Sequence, residues 1–311
     1  MTVKESIEKY GDPAKQSVIN ELKQLIRLQV FKFHDPNTLT PEQLRARIPS
    51  KTFVKIKYHP DGTFNKIKSR TVAGGHRQNR MLYSESDTSS PTISLVGLFI
   101  LATIAANERR SVITMDIGGA YLRAYMKKFV LILINKEESE MLVDLYPELA
   151  GYRDSKGRLT AQALKAIYGC IESGKLWYDT LSAKLIANGY IQNPYDKCIF
   201  NKWHEIEGVQ STIGIYVDDC FISCEIPQVC ESIVDRFGDE FEDVTITRGF
   251  VHQYTGMTLD FSHPNKLYVT MGHHIKELIE NNKITAKAVS PSTSDLFRID
   301  ERSPVLNDDT R

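Results

Sequence analysis

Two adjacent acids, Asp218 and Asp219, interrupt GIYVDDCFIS, an otherwise apolar and β-prone run. The flanking TIGIYV and CFIS predict the two strands of a hairpin, and Asp suits its turn because the short carboxylate can hydrogen-bond the local backbone. The same turn can instead hold two carboxylates where they share divalent cations, since hard ions such as Mg²⁺ take oxygen ligands. That chemistry needs a third acid. Asp116 offers one, because it ends the apolar strand RRSVITMD, a costly place for an unpaired charge. Behind it, Gly118 and Gly119 leave room for a ligand to approach the backbone, and Tyr121 follows. Three carboxylates on two strand ends can hold two cations ~4 Å apart, one activating an attacking oxygen and one steadying the leaving oxygen of an in-line phosphoryl displacement. Taken alone, Asp116 reads more readily as an N-cap of the next helix.

The elements that must position these acids are legible from periodicity. Residues 14–31 place Val18, Leu22, Leu25 and Ile26 at helical spacing behind an Asp12-Pro13 start signal, predicting an amphipathic helix packed on something larger. TFVKIKY, a PDG turn at 60–62 and TFNKIKSRTVA alternate apolar with basic residues, predicting a β-hairpin with one wet, positive face. An apolar helix over 92–107, the strand ending at Asp116, a turn or helix over GGAYLRAYM and a strand FVLILI follow. Next come a polar excursion through 151–157, a helical stretch over 164–185, the Asp-Asp hairpin, and an acidic helix over 229–241. A second hairpin over YTGMTLDFSHPNKLYVTM, a short helix at 273–282 and a loose polar tail from Ser290 complete the chain. Strands and helices mixed without a regular βαβ beat predict an α+β fold, with helices on one face of a largely antiparallel sheet. No Walker loop and no GxGxxG opens a helix, which disfavours P-loop and Rossmann enzymes.

Composition sets the outer limits. At 311 residues and 41% hydrophobic, the chain can bury one large core or a few coupled subdomains. The five cysteines form neither a CxxC pair nor a set with His at zinc spacing, and are read as reduced thiols of an intracellular protein. No signal peptide core and no bilayer-length apolar stretch is present, so neither secretion nor a membrane setting is expected. Lys plus Arg and Asp plus Glu balance at 39 each, yet their distribution is uneven. Between Arg45 and Arg80 ten bases meet one acid, Asp61, whereas Glu225 to Asp243 holds seven acids and one base. The basic stretch is a candidate phosphate-facing surface, with a solvated basic face as the plainer reading.

TMDIGGAYLRAYM, LKAIYGCIESGKLWYDTL and IYVDDCFI stand in the order and at roughly the spacing of three successive motifs in the reverse transcriptase of copia-type LTR retrotransposons, which the chain resembles. KIKSRTVAGGHRQ is similar to that family's basic finger segment, SSPTISL to its following helix start, and YTGMTLDF to the motif preceding the thumb, so the likeness runs over roughly residues 15–290. The resemblance implies a right-hand polymerase fold and RNA-directed DNA synthesis from deoxynucleoside triphosphates (dNTPs). Asp116 and Asp218 would be the principal ligands of two Mg²⁺ ions, with Asp219 the third carboxylate and the Ile117 carbonyl a further oxygen. Tyr121 would be the steric gate against a 2′-hydroxyl, though core packing is its ordinary role. Lys68 and Arg70 would grip the triphosphate, Tyr168 and Gly169 would lie against the nascent base pair, and Gly256 and Met257 would form the primer grip. The implied division is a lead-in over 1–50, fingers over 51–110, palm with a finger insert over 111–245, primer grip and thumb start over 246–290, and a tail over 291–311.

Two departures stand out. Where the family commonly reads LYGLKQAP this chain reads IYGCIESGK, so Glu172, Ser173 and Gly174 replace a basic, Pro-containing turn and leave template contacts there open. No RNase H domain follows, and no zinc knuckle, protease or integrase signature occurs. The expectation is a fragment or truncated copy of a polyprotein whose RNase H and integrase domains lie elsewhere, working inside the cell. Its partners would be an RNA or DNA template with a primer. The alternative is a truncated, non-catalytic remnant whose basic hairpin still holds nucleic-acid phosphates. A two-metal hydrolase sharing only the Asp-Asp hairpin leaves the finger and primer-grip matches unexplained.

Overall fold

Residues 1–58 and 63–285 are described by a computed structural model; the PDG turn at 60–62 and the tail from Ser290 lie outside the described residues. Helix α1 (Val3–Tyr10), absent from the sequence reading, opens behind a Thr2–Glu5 capping box. Helix α2 (Asp12–Arg27) starts at the Asp12-Pro13 signal and buries Val18, Leu22 and Leu25. It stops short of the predicted end because Phe31–His34 becomes strand β1. A short α3 (Pro41–Arg45) leads into the hairpin β2 (Ile48–Tyr58) and β3 (Phe64–Ala73), and a one-turn α4 (Glu85–Thr88) precedes α5 (Leu95–Asn107). Strand β4 (Ser111–Ile117) follows, then a 3₁₀ turn over Ala120–Arg123 and β5 (Leu131–Ile134). Next are α6 (Lys136–Leu145), β6 (Leu159–Ala163), α7 (Ser173–Ala187), β7 (Ile191–Gln192), β8 (Ile199–His204), β9 (Val209–Tyr216) and β10 (Asp219–Cys224). The series ends with α8 (Pro227–Phe241), β11 (Val244–Thr247), β12 (Val251–Tyr254), β13 (Met257–Asp260), β14 (Tyr268–Thr270) and α9 (Gly272–Asn281). The chain divides into two units, one through Met271 and one beginning at Gly272, the latter represented by α9.

The strands of the first unit form three sheets in an α+β arrangement. One has the order β1-β6-β5-β2-β3, antiparallel except for the β2–β5 pair. The segment predicted as a lead-in thus supplies an edge strand of the same sheet as the basic hairpin. A second, fully antiparallel sheet has the order β11-β4-β10-β9-β8-β7. A small third sheet joins β12, β13 and β14, so the second predicted hairpin gains a strand.

Strands β9 and β10 are buried along nearly their whole length. Such continuous burial means that both faces of the sheet are covered. On one face lies α5: a Cβ at Gly214 would meet Leu101 Cδ1 at 3.1 Å and, just before the helix, Ile93 Cδ1 at 2.8 Å, so glycine here eases their close approach. The small sheet closes the same face, with Tyr254 edge-on to Phe221 at 5.9 Å. Helices α7 and α8 cover the other, where Phe241 lies between Trp177, edge-on to it, and Phe237, tilted against it. The resulting core includes Leu98, Met115, Trp177, Phe200, Phe221 and Phe241, and a second core gathers Val18, Leu22, Leu25, Ile132 and Leu159 beneath the β1–β3 sheet.

The predicted helix over 164–185 is helical only from Ser173. Upstream, Leu159–Ala163 is claimed by strands on both sides, and the Leu164 and Ala166 amides donate to the Val30 and Ala124 carbonyls at 2.8 Å each. Once those groups are satisfied across the fold, a local helix has nothing to gain. Helix α6 falls in a stretch that carried no predicted element, and it starts on an Asn135 cap. All five cysteines are free and buried. Among the described residues no helix is long and apolar enough to cross a membrane.

The end of β3 is pinned to the segment that leads into α7. The Ala73 amide donates to the Tyr168 carbonyl at 2.7 Å, and a Cβ on Gly75 would lie 1.9 Å from the Gly169 carbonyl oxygen. Gly75→Ala should therefore destabilise the chain by about 1–3 kcal/mol, the usual cost of overpacking. Urea denaturation checks this, and an unchanged midpoint would contradict the packing described.

Candidate functional site: an acidic strand-end cluster beside a basic hairpin

Antiparallel pairing of β10 with β4 sets Asp219 directly opposite Asp116. Side chains at such opposed positions share a face, with Cβ atoms about 5 Å apart. Asp218 sits between β9 and β10 in a loop with Val217, whose φ is +57°. A positive φ at the first loop residue only is the pattern of a type II′ turn, where glycine is usual. Holding a β-branched residue there costs about 1–3 kcal/mol and marks a constrained turn. The Ile117 amide donates to the Asp218 carbonyl at 2.9 Å, which ties the hairpin tip to the end of β4. Asp116 is part of the strand and caps no helix, because the following 3₁₀ turn is capped by Gly119 without a side-chain bond. The N-cap reading is thereby excluded.

The three acids raise one another's energy. Burial, then Asp218 and Asp116, push the Asp219 carboxyl up to about 7. Burial and Asp218 also raise Asp116, against the opposing pull of Lys68 and Arg70. A fourth acid, Asp243, which the sequence reading missed, adds to this repulsion. It occupies the space expected for a ligand: a Cβ at Gly118 would lie 2.2 Å from Asp243 Oδ2, and the Gly118 amide donates to the Asp243 carbonyl at 2.7 Å. Gly118 is therefore glycine to admit Asp243, and Gly119, at φ +62°, faces the Gln24 amide instead.

Hard oxygen donors, crowded and partly desolvated with no cation among the described residues pairing them directly, suit Mg²⁺. Asp116, Asp218 and Asp219 would hold it, and the buried Ile117 stands beside them. Among the described residues no three Asp, Glu, His or Cys side chains already stand in closed coordination geometry. The carboxylates would have to turn inward around an ion.

Facing this cluster is the predicted wet, positive hairpin. Lys51, Phe53, Lys55 and Lys57 on β2, with Lys66, Lys68 and Arg70 on β3, are exposed while the intervening residues are covered. Lys55 is opposed to Lys68 and Lys57 to Lys66. Like charges in such register are unfavourable, which makes a polyanion the natural neighbour. Arg70 lies over the Tyr168 ring at 4.1 Å from its centroid, and that ring packs against Tyr121 at 4.8 Å. Tyr121 itself is half-buried, its hydroxyl pushed up by burial and by Asp218. Gly169, at φ +89°, could not carry a Cβ, which would lie 2.2 Å from the Ala73 carbonyl oxygen. The structure thus brings Lys68, Arg70, Tyr121, Tyr168 and Gly169 to one side of the acids.

Gly256 and Met257 lie apart, at the β12–β13 turn, where Thr255 and Gly256 both have positive φ and Met257 is buried. Tyr254 links this turn to the acids by donating to the Gly214 carbonyl at 3.1 Å and the Asp219 carbonyl at 3.3 Å. Sequence reading also missed Glu21 on α2, which accepts the Thr71 amide at 2.7 Å and is close enough to Lys68 and Arg70 to feel their charge. Its place on an amphipathic helix gave no signal of that contact. The divergent Glu172 turns inward, buried, and accepts a bond from Gln78 Nε2 at 3.4 Å.

The family model described as reverse transcriptase (RNA-dependent DNA polymerase) matches residues 39–292. The retrovirus-related Pol polyprotein from transposon RE1 of Arabidopsis thaliana is 24% identical over 238 residues, covering 75% of this chain and 15% of that protein. The transposon Ty1-MR1 Gag-Pol polyprotein of Saccharomyces cerevisiae (strain ATCC 204508 / S288c) is 26% identical over 259 residues, covering 81% of this chain and 13% of that protein. The chain therefore spans only a small part of either relative. The foamy viral protease-reverse transcriptase dRH, solved in complex with double-stranded DNA, gives a TM-score of 0.41 at 15% identity, covering 88% of this chain and 37% of that one.

The raised Asp219 carboxyl carries a pH signature. Above about pH 4 the unfolded chain has released this proton while the folded chain keeps it until about 7, so the group subtracts stability progressively as pH rises through that window. Asp219→Asn removes the penalty. In metal-free buffer it should unfold at higher urea than the parent at pH 8, with the gap closing toward pH 4. A gap independent of pH would contradict the electrostatic origin.

Proposed function

The chain belongs to the reverse transcriptase (RNA-dependent DNA polymerase) family, in its copia-type transposon branch, and from that premise we propose that it transfers nucleotides from dNTPs to a primer 3′-hydroxyl on an RNA or DNA template. The single observation that supports this most is the register pairing of Asp116 with Asp219 beside a constrained turn carrying Asp218. Three crowded carboxylates, with no ion-pairing cation among the described residues, suit the holding of divalent ions. Two Mg²⁺ ions bound there would supply the charge that activates the 3′-hydroxyl and steadies the leaving pyrophosphate.

The chain's own residues do the rest. Lys68 and Arg70 offset charge that develops on the phosphoryl oxygens, and the Tyr168 ring fixes the Arg70 guanidinium plane. Tyr121, braced by Tyr168, presents a rigid ring beneath the incoming sugar and refuses a 2′-hydroxyl. Tyr168 and Gly169 lie against the nascent pair, while Gly256 and Met257 hold the primer end. Residues 51–110 act as fingers, 111–245 as palm with a finger insert, and 246–290 as primer grip and thumb start. The basic β2–β3 face takes backbone phosphates, in an intracellular setting.

Extension of a DNA primer on an RNA template with Mg²⁺ tests this. Asp116→Asn and Asp218→Asn should each drop incorporation to about a hundredth of the parent or less, the loss expected when one transition-state charge contact goes. Arg70→Ala should raise KM for dNTP, and Tyr121→Ala should admit ribonucleotides. Salt-sensitive template binding without Mg²⁺-dependent incorporation would instead establish the non-catalytic remnant.

A further inference from the structure

We infer that Trp177 is a positioning residue for the Asp218 turn, its indole N–H fixing the peptide plane that carries Asp218; this rests on the function proposed above. Trp177 lies on α7, 1% exposed, and its Nε1–H donates to the Val217 carbonyl at 2.6 Å. That carbonyl belongs to the peptide joining Val217 to Asp218, so its orientation sets the backbone direction from which the Asp218 carboxylate projects. The ring is itself held edge-on against Phe241 at 5.7 Å. The anchor is therefore rigid.

The turn needs an anchor because Val217 sits at φ +57°, a conformation a β-branched side chain leaves when it can. Tyr254 restrains the strands, through Gly214 and Asp219, but does not reach the Val217–Asp218 peptide. The Ile117 amide holds the Asp218 carbonyl from the β4 side, and Trp177 holds the preceding carbonyl from the α7 side. Released from the indole, the strained loop relaxes and Asp218 swings away from Asp116 and Asp219. The proposed ion site then loses one ligand without any acid being altered.

The test uses the full chain and two readouts. The first is binding of Mn²⁺ alone, followed by electron paramagnetic resonance of the free ion, without nucleotide or nucleic acid. The second is single-nucleotide incorporation on a primed template. Trp177→Phe keeps an aromatic ring but removes the donor. It should weaken Mn²⁺ binding about threefold to tenfold, the factor one hydrogen bond commands, and lower kcat comparably with KM for dNTP within about twofold. Adding Val217→Gly removes the strain that drives relaxation, so Trp177→Phe/Val217→Gly should recover most of both losses. Phe200→Leu, a core change in the same cluster, controls for stability and should leave Mn²⁺ affinity in place. The inference is overturned if Trp177→Phe binds Mn²⁺ like the parent, if Phe200→Leu weakens it equally, or if adding Val217→Gly recovers nothing. A parent chain that incorporates no nucleotide counts against the polymerase reading, while the Mn²⁺ comparison still decides the role of Trp177.

Discussion

Pairing of β4 with β10 forces Asp116 and Asp219 onto one face of a sheet, and the tight loop before β10 adds Asp218 at the same edge. Opposed like charges weaken a sheet, and partial burial weakens it further, as the raised carboxyls of Asp116 and Asp219 record. No hydrogen-bonding economy requires acids at these positions. The arrangement makes sense if a divalent ion completes it, and the surroundings agree. Lys68 and Arg70 come near enough to favour the charged form of Asp116 without pairing with it, which leaves the carboxylate oxygens available.

That partial compensation depends on a second set of contacts joining the basic hairpin to the acidic edge. β3 ends where the Ala73 amide meets the Tyr168 carbonyl, and Gly75 and Gly169 let the two backbones touch. Arg70 then rests on Tyr168, and Tyr168 on Tyr121, so three side chains run from β3 to the turn after β4 as one series of contacts. Burial raises the Tyr168 hydroxyl to about 12, so the ring stays neutral and its face remains a good seat for a guanidinium. From the other side, Glu21 grips the Thr71 amide and sets the height of the strand that carries both cations. The hairpin's mutual repulsion is thus held at a fixed distance from the acids.

Much of this was legible in the sequence where the determinant is local. Alternation of apolar and basic residues gave the β2–β3 hairpin and its wet face, the apolar run broken by Asp218 and Asp219 gave the β9–β10 turn, and Asp12-Pro13 gave the start of α2. What escaped was set by partners distant in the chain. Asp243 reads as one more acid in an acidic stretch until β11 pairs with β4 and brings it against Gly118. Glu21 looks like a solvent-facing helical residue until α2 docks on β3. Residues 164–172 carry helical spacing, yet the Leu164 and Ala166 amides are taken by the Val30 and Ala124 carbonyls before a helix can form. Glu172 reads as a turn residue, and only the fold shows it buried beside Gln78.

If the acidic edge is an ion site, a divalent cation relieves its repulsion. Any ligand that binds only the folded state raises its stability with concentration. The most direct measurement is the urea midpoint at pH 8 as Mg²⁺ is titrated, for the parent and for the Asp116→Asn/Asp218→Asn double variant. The midpoint should climb with Mg²⁺ in the parent and stay flat in the variant. A parent that ignores Mg²⁺, or a variant that responds as strongly as the parent, would contradict the ion site.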